Sequence, residues 1–199
     1  KVTHDQARSF FNIPKDYKTV LILGGSLGAG SVNRAIRQKL SSVKKKPLFL
    51  IWQTGKNDYE TISRYVNHVT YPNVYVTPFI EKMNMAFTAA DLIISRAGAG
   101  TISELAVIGK PVILVPSPNV AEDHQTKNAK ALESKNAALL IPDDQVEERL
   151  IPEMLRLMND DQAMQELASN LKKLAIPDAS SRIVAEMVKI AEKNINKNE

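Results

Sequence analysis

The sequence has 199 residues, of which 44% are hydrophobic and 24% are charged. A chain of this length buries roughly 70% of its unfolded surface on folding, which excludes simple disorder and predicts one full globular domain. It contains no Cys, so disulfide bonds and thiolate metal sites are excluded. The net charge of +4 comes from scattered residues and is too small to indicate a nucleic-acid partner.

Targeting and metal-binding patterns are not recognisable in the sequence. No apolar run approaches the roughly 20 residues that a membrane-spanning helix requires, and the beginning of the chain lacks the pattern of a signal peptide. We therefore expect a cytoplasmic protein. The chain opens at Lys1 without Met, and we expect it to be a piece of a longer protein. His4, His68 and His124 lie far apart and outside any ligand spacing, so we expect no structural metal.

Short apolar runs alternate with segments of helical pattern along most of the chain. Because these runs are apolar at successive positions, both of their faces must be covered, which is typical of a parallel sheet between two layers of helices. The predicted strands are Thr19 to Leu23, Leu48 to Trp52, Val74 to Thr77, Leu92 to Ser95, Val112 to Val115 and Ala137 to Ile141. The predicted helices between them are Ala29 to Leu40, Asp58 to Val66, Lys82 to Ala89, Thr101 to Ile108 and Asp123 to Glu133.

The two ends of the chain are predicted to be helical. Thr3 and Gln6 have the spacing of a capping box, which predicts a short first helix ending near Phe11. After the sixth strand a helical pattern, broken near Asn159 and again at Pro177, predicts an extension over about residues 143–199. No repeat or linker divides the chain. We expect residues 1–199 to form a single doubly wound α/β domain with a six-stranded parallel sheet and a helical C-terminal extension.

The first candidate ligand loop is the glycine-rich run from Gly24 to Gly30, which leads from a buried strand into a helix. Glycines let the backbone approach a ligand closely, and the helix start offers unpaired N–H groups to an anion. A Walker loop would need Lys after Gly30, where Ser31 stands, and a dinucleotide fingerprint does not match in register. The alternative is a tight turn without a ligand.

The second candidate loop runs from Ser95 to Glu104 and again joins a strand to a helix through glycines. Thr101 and Glu104 fit a capping box, in which the carboxylate satisfies only a backbone N–H of its own helix. The functional alternative is that Glu104 accepts hydrogen bonds from the vicinal hydroxyls of a ribose at the mouth of the sheet. Spacing alone does not decide between these two interpretations.

Two further segments follow strands. The proline-fixed loop from Pro116 leads to His124 and Gln125, which either begin an ordinary polar helix or face a polyhydroxylated ligand. Phe79 and Ile80 follow the third strand, where core packing is the ordinary interpretation and reading of a flat base edge by exposed backbone is the alternative.

Taken together, these loops resemble the C-terminal half of the MurG-type N-acetylglucosaminyltransferases of glycosyltransferase family 28. The resemblance covers nearly the whole chain and implies the Rossmann-like donor domain of a two-domain GT-B enzyme. It is carried by Gly24-Gly25-Ser26 and Gly28-Ala29 with Asn33, Phe79-Ile80, Ala90-Asp91, Ser95 to Ala99 with Thr101 and Glu104, Gly109-Lys110-Pro111, Val115-Pro116, and Asp123-His124-Gln125 with Asn128-Ala129.

The resemblance implies a donor site for UDP-N-acetylglucosamine. Uracil would meet the main chain near Ile80, the ribose would be held by Glu104, and the sugar would contact His124 and Gln125. The diphosphate would face Ser26 and the start of the helix that contains Gly100, a position where some members carry Leu. The implied donor-binding residues are Gly25, Ser26, Gly28, Phe79, Ile80, Ala99, Gly100, Thr101, Glu104, His124 and Gln125.

The resemblance also implies a reaction. The complete enzyme would convert lipid I to lipid II in peptidoglycan synthesis by an inverting displacement, with no cofactor and no metal at the donor site, at the inner face of the cell membrane. The acceptor domain, the membrane contact and the catalytic base would lie in an N-terminal half that this chain does not contain. Two alternatives stay open, namely a different UDP-sugar transferase domain of the same fold and a non-enzymatic binding module.

Overall fold

The computed structural model of the protein describes residues 2–66, 70–118, 123–176 and 187. Its centre is a six-stranded sheet in the order β3-β2-β1-β4-β5-β6, with every neighbouring pair parallel. The predicted fold class is therefore confirmed. The strands are β1 Lys18–Leu23, β2 Leu48–Gln53, β3 Val74–Thr77, β4 Leu92–Ser95, β5 Val112–Leu114 and β6 Leu139–Leu140.

Eight α-helices are described around this sheet, and a 3₁₀-helix at Asp143–Gln145 joins β6 to the C-terminal pair. The break predicted near Asn159 is confirmed, because α7 ends at Met158 and Asn159 is its C-cap. The predicted break at Pro177 lies outside the described residues. The helices are α1 His4–Phe10, α2 Gly30–Lys44, α3 Tyr59–Tyr65, α4 Met83–Ala89, α5 Ala99–Ile108, α6 His124–Glu133, α7 Val146–Met158 and α8 Asp161–Lys172.

Helices cover both faces of the sheet. Along β1, Val20 and Ile22 belong to one core, which also holds α2, α3 and α7. Leu21 belongs to the other core, with α1, α4, α5 and α6. Consecutive strand residues therefore enter different cores, and this explains why the strands read as continuous apolar runs.

The capping box at the first helix is confirmed. The Gln6 N–H donates to Thr3 Oγ1 over 3.2 Å, and the Thr3 N–H donates back to Gln6 Oε1 over 3.0 Å. The helix buries Ala7 and packs against α4. This short element is therefore fixed by its own cap and by tertiary packing together.

Helix α7 is tied to α2 beside its own proline. Pro152 lies inside α7 and has no N–H, so the Glu148 carbonyl loses its helical partner. Lys39 of α2 donates to that carbonyl from Nζ over 3.0 Å. Arg34 of α2 donates to the Glu147 carboxylate over 3.0 Å, and this hydrogen bond lowers the pKa of Glu147 below its usual value. Helix α2, which follows the first glycine loop, is thus fixed by side-chain hydrogen bonds to α7.

The sixth strand is shorter than predicted. Ala137 is buried, but its N–H donates to the Leu132 carbonyl, so the chain is still completing the turn that follows α6. Asn136 takes a left-handed conformation in that turn, with φ 49°. The apolar run therefore marks burial correctly, but only Leu139 and Leu140 stand in register with β5, and the Ile141 N–H adds one hydrogen bond to the Leu114 carbonyl.

Candidate functional site

The two glycine loops lie side by side where the strand order reverses. From β1 the chain proceeds outward to β2 and β3, whereas β4, β5 and β6 proceed to the other side, so β1 and β4 are neighbours. In open parallel sheets, ligands bind in the crevice that this reversal leaves beyond the carboxyl ends of the strands. The crevice is flanked by the residues after Leu23 on one side and after Ser95 on the other.

The inner surface of the first loop rests on the loop after β2. A Cβ atom on Gly28 would lie 2.5 Å from the Thr54 carbonyl oxygen. A Cβ atom on Gly55 would overlap the main-chain nitrogen and Cα of Gly28, and Gly55 also needs φ +75°. The Lys56 N–H donates to the Ser26 carbonyl over 3.1 Å. Close packing against the loop after β2 therefore explains why position 28 is a glycine. It does not explain the glycine at position 25.

The outer surface of the same loop is open. Gly25 has φ +75° and no atom within 4 Å of the place where a Cβ would stand. Ser26 and Leu27 beside it are exposed, Leu27 to 57%. Gly25 and Ser26, for which the family resemblance implies a place in the donor site, are thus on the surface of the loop that a ligand can reach.

Two helix N-termini without caps face this crevice. The N-cap residues are Ala29 for α2 and Gly98 for α5, and neither makes a side-chain capping hydrogen bond. Neither helix has an acidic residue in its first turn. The first N–H groups of a helix have no partner within it and carry the positive end of the helix dipole, so each start attracts an anion.

The capping box proposed for α5 is wrong. The helix begins at Ala99 rather than at Thr101, so Thr101 is its third residue and cannot be the N-cap. Glu104 is exposed, and no described residue donates a hydrogen bond to its carboxylate. It lies four residues after Gly100 on the same face, and helical side chains lean toward the preceding turn. Glu104 therefore extends over the turn at Gly100 and is available to a ligand.

Gly100 has no packing role in the described structure. Nothing lies within 4 Å of the place where its Cβ would stand. We expect Gly100→Ala to raise the free energy of unfolding by about 0.4–1 kcal/mol, because Ala reduces the entropy of the unfolded chain. Urea denaturation measures this change.

Gly109, at the other end of α5, is the matched control for Gly100. It has φ +64°, and a Cβ there would lie 3.1 Å from Cδ of Lys172. Gly109→Ala should therefore lower the free energy of unfolding. A loss of stability in Gly100→Ala would contradict the open space beside that residue.

Gln125 joins two of the loops. Its Oε1 accepts hydrogen bonds from the Ala97 N–H over 3.1 Å and from the Ser117 N–H over 2.9 Å. Asn128 donates to the Ala97 carbonyl over 3.2 Å. The side-chain oxygen of Gln125 is therefore structural, and its amide nitrogen is the group left for a ligand. His124, the first residue of α6, is exposed.

The proline loop before His124 is described only in part. Pro116 to Pro118 are described, whereas residues 119–122 lie outside the described residues. Asp123 then has a left-handed conformation with φ 54° and makes no side-chain cap for α6.

The polar main-chain atoms around Phe79 are partly engaged. The Ile80 N–H donates to Oε1 of the buried Gln53 over 3.0 Å, and the Phe79 carbonyl accepts from Thr77 Oγ1 over 2.8 Å. Ile80 is buried, whereas Phe79 is 56% exposed beside a cavity of about 360 Å³ that Phe10 and other residues line. The segment is held at the carboxyl ends of β2 and β3, and the Ile80 carbonyl has no donor among the described residues.

One cluster at the crevice was missed by the sequence interpretation. Ser31, Arg96 and Asp143, here called the Arg96 cluster, come together from the start of α2, the end of β4 and the 3₁₀-helix. Arg96 and Asp143 are 47 positions apart, so no local spacing could reveal their ion pair. The signal of this ion pair in the sequence is Arg96, a charged residue directly after the buried strand β4.

The part of the chain that the structure describes shows neither a metal site nor a membrane-spanning helix. Within residues 2–66, 70–118, 123–176 and 187, no three His, Cys, Asp or Glu side chains are grouped so that they could hold a metal ion. None of the helices in that part of the chain combines the length and apolar character needed to cross a bilayer.

Comparison with known proteins shows the family to which this fold belongs. The model of the glycosyltransferase family 28 C-terminal domain matches residues 19–183. The UDP-N-acetylglucosamine--N-acetylmuramyl-(pentapeptide) pyrophosphoryl-undecaprenol N-acetylglucosamine transferase of Bacteroides thetaiotaomicron is 48% identical over 92% of this chain and 50% of its own length. The protein of the same name from Porphyromonas gingivalis is 50% identical over 87% of this chain and 46% of its own length.

A solved structure agrees with these matches. The crystal structure of Acinetobacter baumannii MurG superposes with a TM-score of 0.77 and 30% identity, over 94% of this chain and 53% of that chain. The chain thus spans about half the length of the relatives that it matches. The resemblance drawn from the loops is confirmed, and the chain belongs to glycosyltransferase family 28, as its C-terminal domain.

Proposed function

We propose that this chain is the UDP-N-acetylglucosamine-binding half of a transferase that converts lipid I to lipid II. The observation that carries the proposal is the pair of uncapped helix N-termini at the strand-order reversal, a site built for an anionic group. The relatives named above are N-acetylglucosamine transferases whose names give UDP-N-acetylglucosamine as donor and N-acetylmuramyl-(pentapeptide) pyrophosphoryl-undecaprenol as acceptor, and these names support the choice of both.

The diphosphate of the donor would lie between the two helix starts. On one side Ser26 is exposed on the outer surface of the first loop. On the other, the N–H groups of Ala99, Gly100 and Thr101 begin α5. Each helix terminus contributes about 0.3–1 kcal/mol to anion binding at an exposed site and up to about 2 kcal/mol when partly buried.

The uridine would extend from the diphosphate along α5. Glu104 offers both carboxylate oxygens to the ribose hydroxyls, and no described residue competes for them. Uracil would lie beside Phe79 and Ile80, where the Ile80 carbonyl can accept a hydrogen bond from the base. The Ile80 N–H is already used by Gln53, so it is the weaker candidate for a contact with uracil.

The sugar would face the start of α6. His124 is exposed there, and the amide nitrogen of Gln125 remains available while its oxygen fixes the neighbouring loops. An imidazole and an amide donor suit a ligand with several hydroxyl groups.

The chemistry follows from the charge on the leaving group. When the acceptor hydroxyl attacks the anomeric carbon, the bond to UDP breaks and negative charge grows on the diphosphate. Fixed N–H groups aimed at that charge stabilise the transition state without a metal. The displacement inverts the anomeric centre, and its general base, the acceptor pocket and a peripheral membrane contact would be supplied by the other half of the enzyme.

This proposal also sets the place and organisation of the chain. Residues 1–199 would form one UDP-sugar domain, with its helical extension over about residues 143–199 and the acceptor domain outside this chain. The complete enzyme would work in the cytoplasm at the inner face of the cell membrane, and no nucleic acid would be involved.

Calorimetric titration of the chain tests the donor site. We expect UDP and UDP-N-acetylglucosamine to bind, and we expect EDTA to leave both affinities unchanged, because backbone N–H groups hold the diphosphate. CDP and UDP-galactose serve as controls for base and sugar. Loss of UDP binding in EDTA would overturn the metal-free account, and absence of any uridine nucleotide binding would favour a non-enzymatic module.

A further inference from the structure

Three segments at the carboxyl edge of the sheet converge on one guanidinium group. Arg96 Nη2 donates to Ser31 Oγ over 3.0 Å, and Arg96 Nη1 forms an ion pair with Asp143. The same nitrogen donates to the carbonyls of Val115 and Pro116, each over 3.1 Å. Ser31 also donates to the Asp143 carboxylate, which closes the triangle.

The positions of these residues in their elements matter for the crevice. Ser31 is the second residue of α2, and Arg96 precedes by two positions Gly98, the N-cap of α5. Helix α2 follows β1 and packs in one core, whereas α5 follows β4 and packs in the core on the other face of the sheet. The Arg96 cluster connects the N-terminal ends of these two helices. Its acceptors extend the connection to the segments after β5 and β6.

We infer that Arg96 is a positioning residue that, through Ser31 and Asp143, fixes the separation of the two helix N-termini at the value a diphosphate requires. The inference rests on the proposed function, since it concerns the same diphosphate. An anion held between two sets of N–H groups gains from both only when their spacing matches its own oxygens.

The charges of the cluster favour positioning over direct contact. The Arg96 and Asp143 side chains are each 20% exposed, and the carboxylate neutralises the guanidinium. The guanidinium also already serves four protein acceptors. A cation that held phosphate directly would instead be opposed by an adjacent Asp, because the carboxylate repels the ligand.

The test compares UDP with uridine in NMR titrations of the full chain. Ser31→Ala removes only the link to α2, and Arg96→Lys keeps the charge but not the planar array of donors. We expect each variant to weaken UDP binding about tenfold while uridine binding changes less than about twofold. A general structural defect would weaken both ligands equally, and that result would overturn the inference.

Asp143→Asn distinguishes a positioning role of Arg96 from direct contact between its charge and the diphosphate. Positioning predicts weaker UDP binding, because the ion pair that holds Arg96 is lost. A direct role for the cation predicts tighter UDP binding, and tighter binding would overturn the inference. Ser42→Ala, near the other end of α2, and Arg64→Lys on α3 are matched controls, since among the described residues each side chain bonds only within its own helix.

The outcomes distinguish this inference from the proposed function. If Arg96→Lys does not fold, Ser31→Ala and Asp143→Asn still decide the matter. Failure of the unaltered chain to bind UDP would overturn the proposed function and the inference with it. Normal UDP binding by the unaltered chain, together with unchanged UDP affinity in the cluster variants, would overturn the inference alone.

Discussion

Replacement of Gly55 by Ala is expected to lower the free energy of unfolding by about 2–5 kcal/mol and to abolish UDP binding. The new Cβ would overlap the main-chain nitrogen and Cα of Gly28 and lie 2.5 Å from the carbonyl carbon of Leu27. Backbone cannot rotate away as a side chain can, so the first glycine loop must move. Urea denaturation gives the stability, and calorimetry with UDP gives the binding.

Gly25→Ala is the matched control for this prediction. Gly25 has the same φ of +75° as Gly55, but nothing lies within 4 Å of its Cβ position. Gly25→Ala should lower the free energy of unfolding by about 1–2 kcal/mol, the conformational strain of a left-handed Ala alone. The difference between the two variants isolates the contact between the loops. Equal destabilisation would mean that the loop after β2 does not support the first glycine loop.

The fold was predictable because a strand whose two faces are both buried is apolar at every position, and this pattern is visible within a few residues of sequence. β1, for example, sends Val20 and Ile22 into one core and Leu21 into the other, so its residues are apolar without interruption. Strand β6 is the exception. Ala137 is equally buried, but its N–H is taken by the turn after α6, and a backbone hydrogen bond leaves no trace in hydrophobicity.

The capping boxes show where local patterns stop being decisive. Thr3 with Gln6 and Thr101 with Glu104 have the same spacing, yet only the first pair forms a capping box. The N-cap of helix α5 is Gly98, three residues before the Thr101 that the capping-box pattern indicates. The pattern describes what a helix start can use, whereas the preceding strand and loop decide where the helix begins.

The sequence signals of the candidate site lie in loops that follow strands, whereas the contacts between those loops leave no signal within a single segment. Gly25, Ser26 and Glu104 stand out in sequence by their type and position. The contact of Gly55 with Gly28, and that of Arg96 with Asp143, join segments whose proximity arises only from the strand order. No spacing rule within one segment contains that information.

Glu104→Ala is expected to weaken UDP binding by about 1–3 kcal/mol, because a partly desolvated diol loses its acceptor. The sharper measurement compares UDP with 2′-deoxy-UDP by calorimetry. The unaltered chain should prefer UDP, and the variant should bind the two nucleotides equally, since the carboxylate is the proposed partner of the missing hydroxyl. Glu104→Gln keeps one acceptor oxygen without the charge and should give an intermediate preference.

Glu133→Ala controls for loss of an exposed helical carboxylate, because Glu133 is exposed at the end of α6 and lies away from the crevice. Its affinity for both nucleotides should match that of the unaltered chain. If Glu104→Ala folds and binds UDP with unaltered affinity, Glu104 is not in the site. An equal loss for UDP and 2′-deoxy-UDP would instead leave Glu104 acting on the nucleotide through charge alone, with the ribose held by other residues.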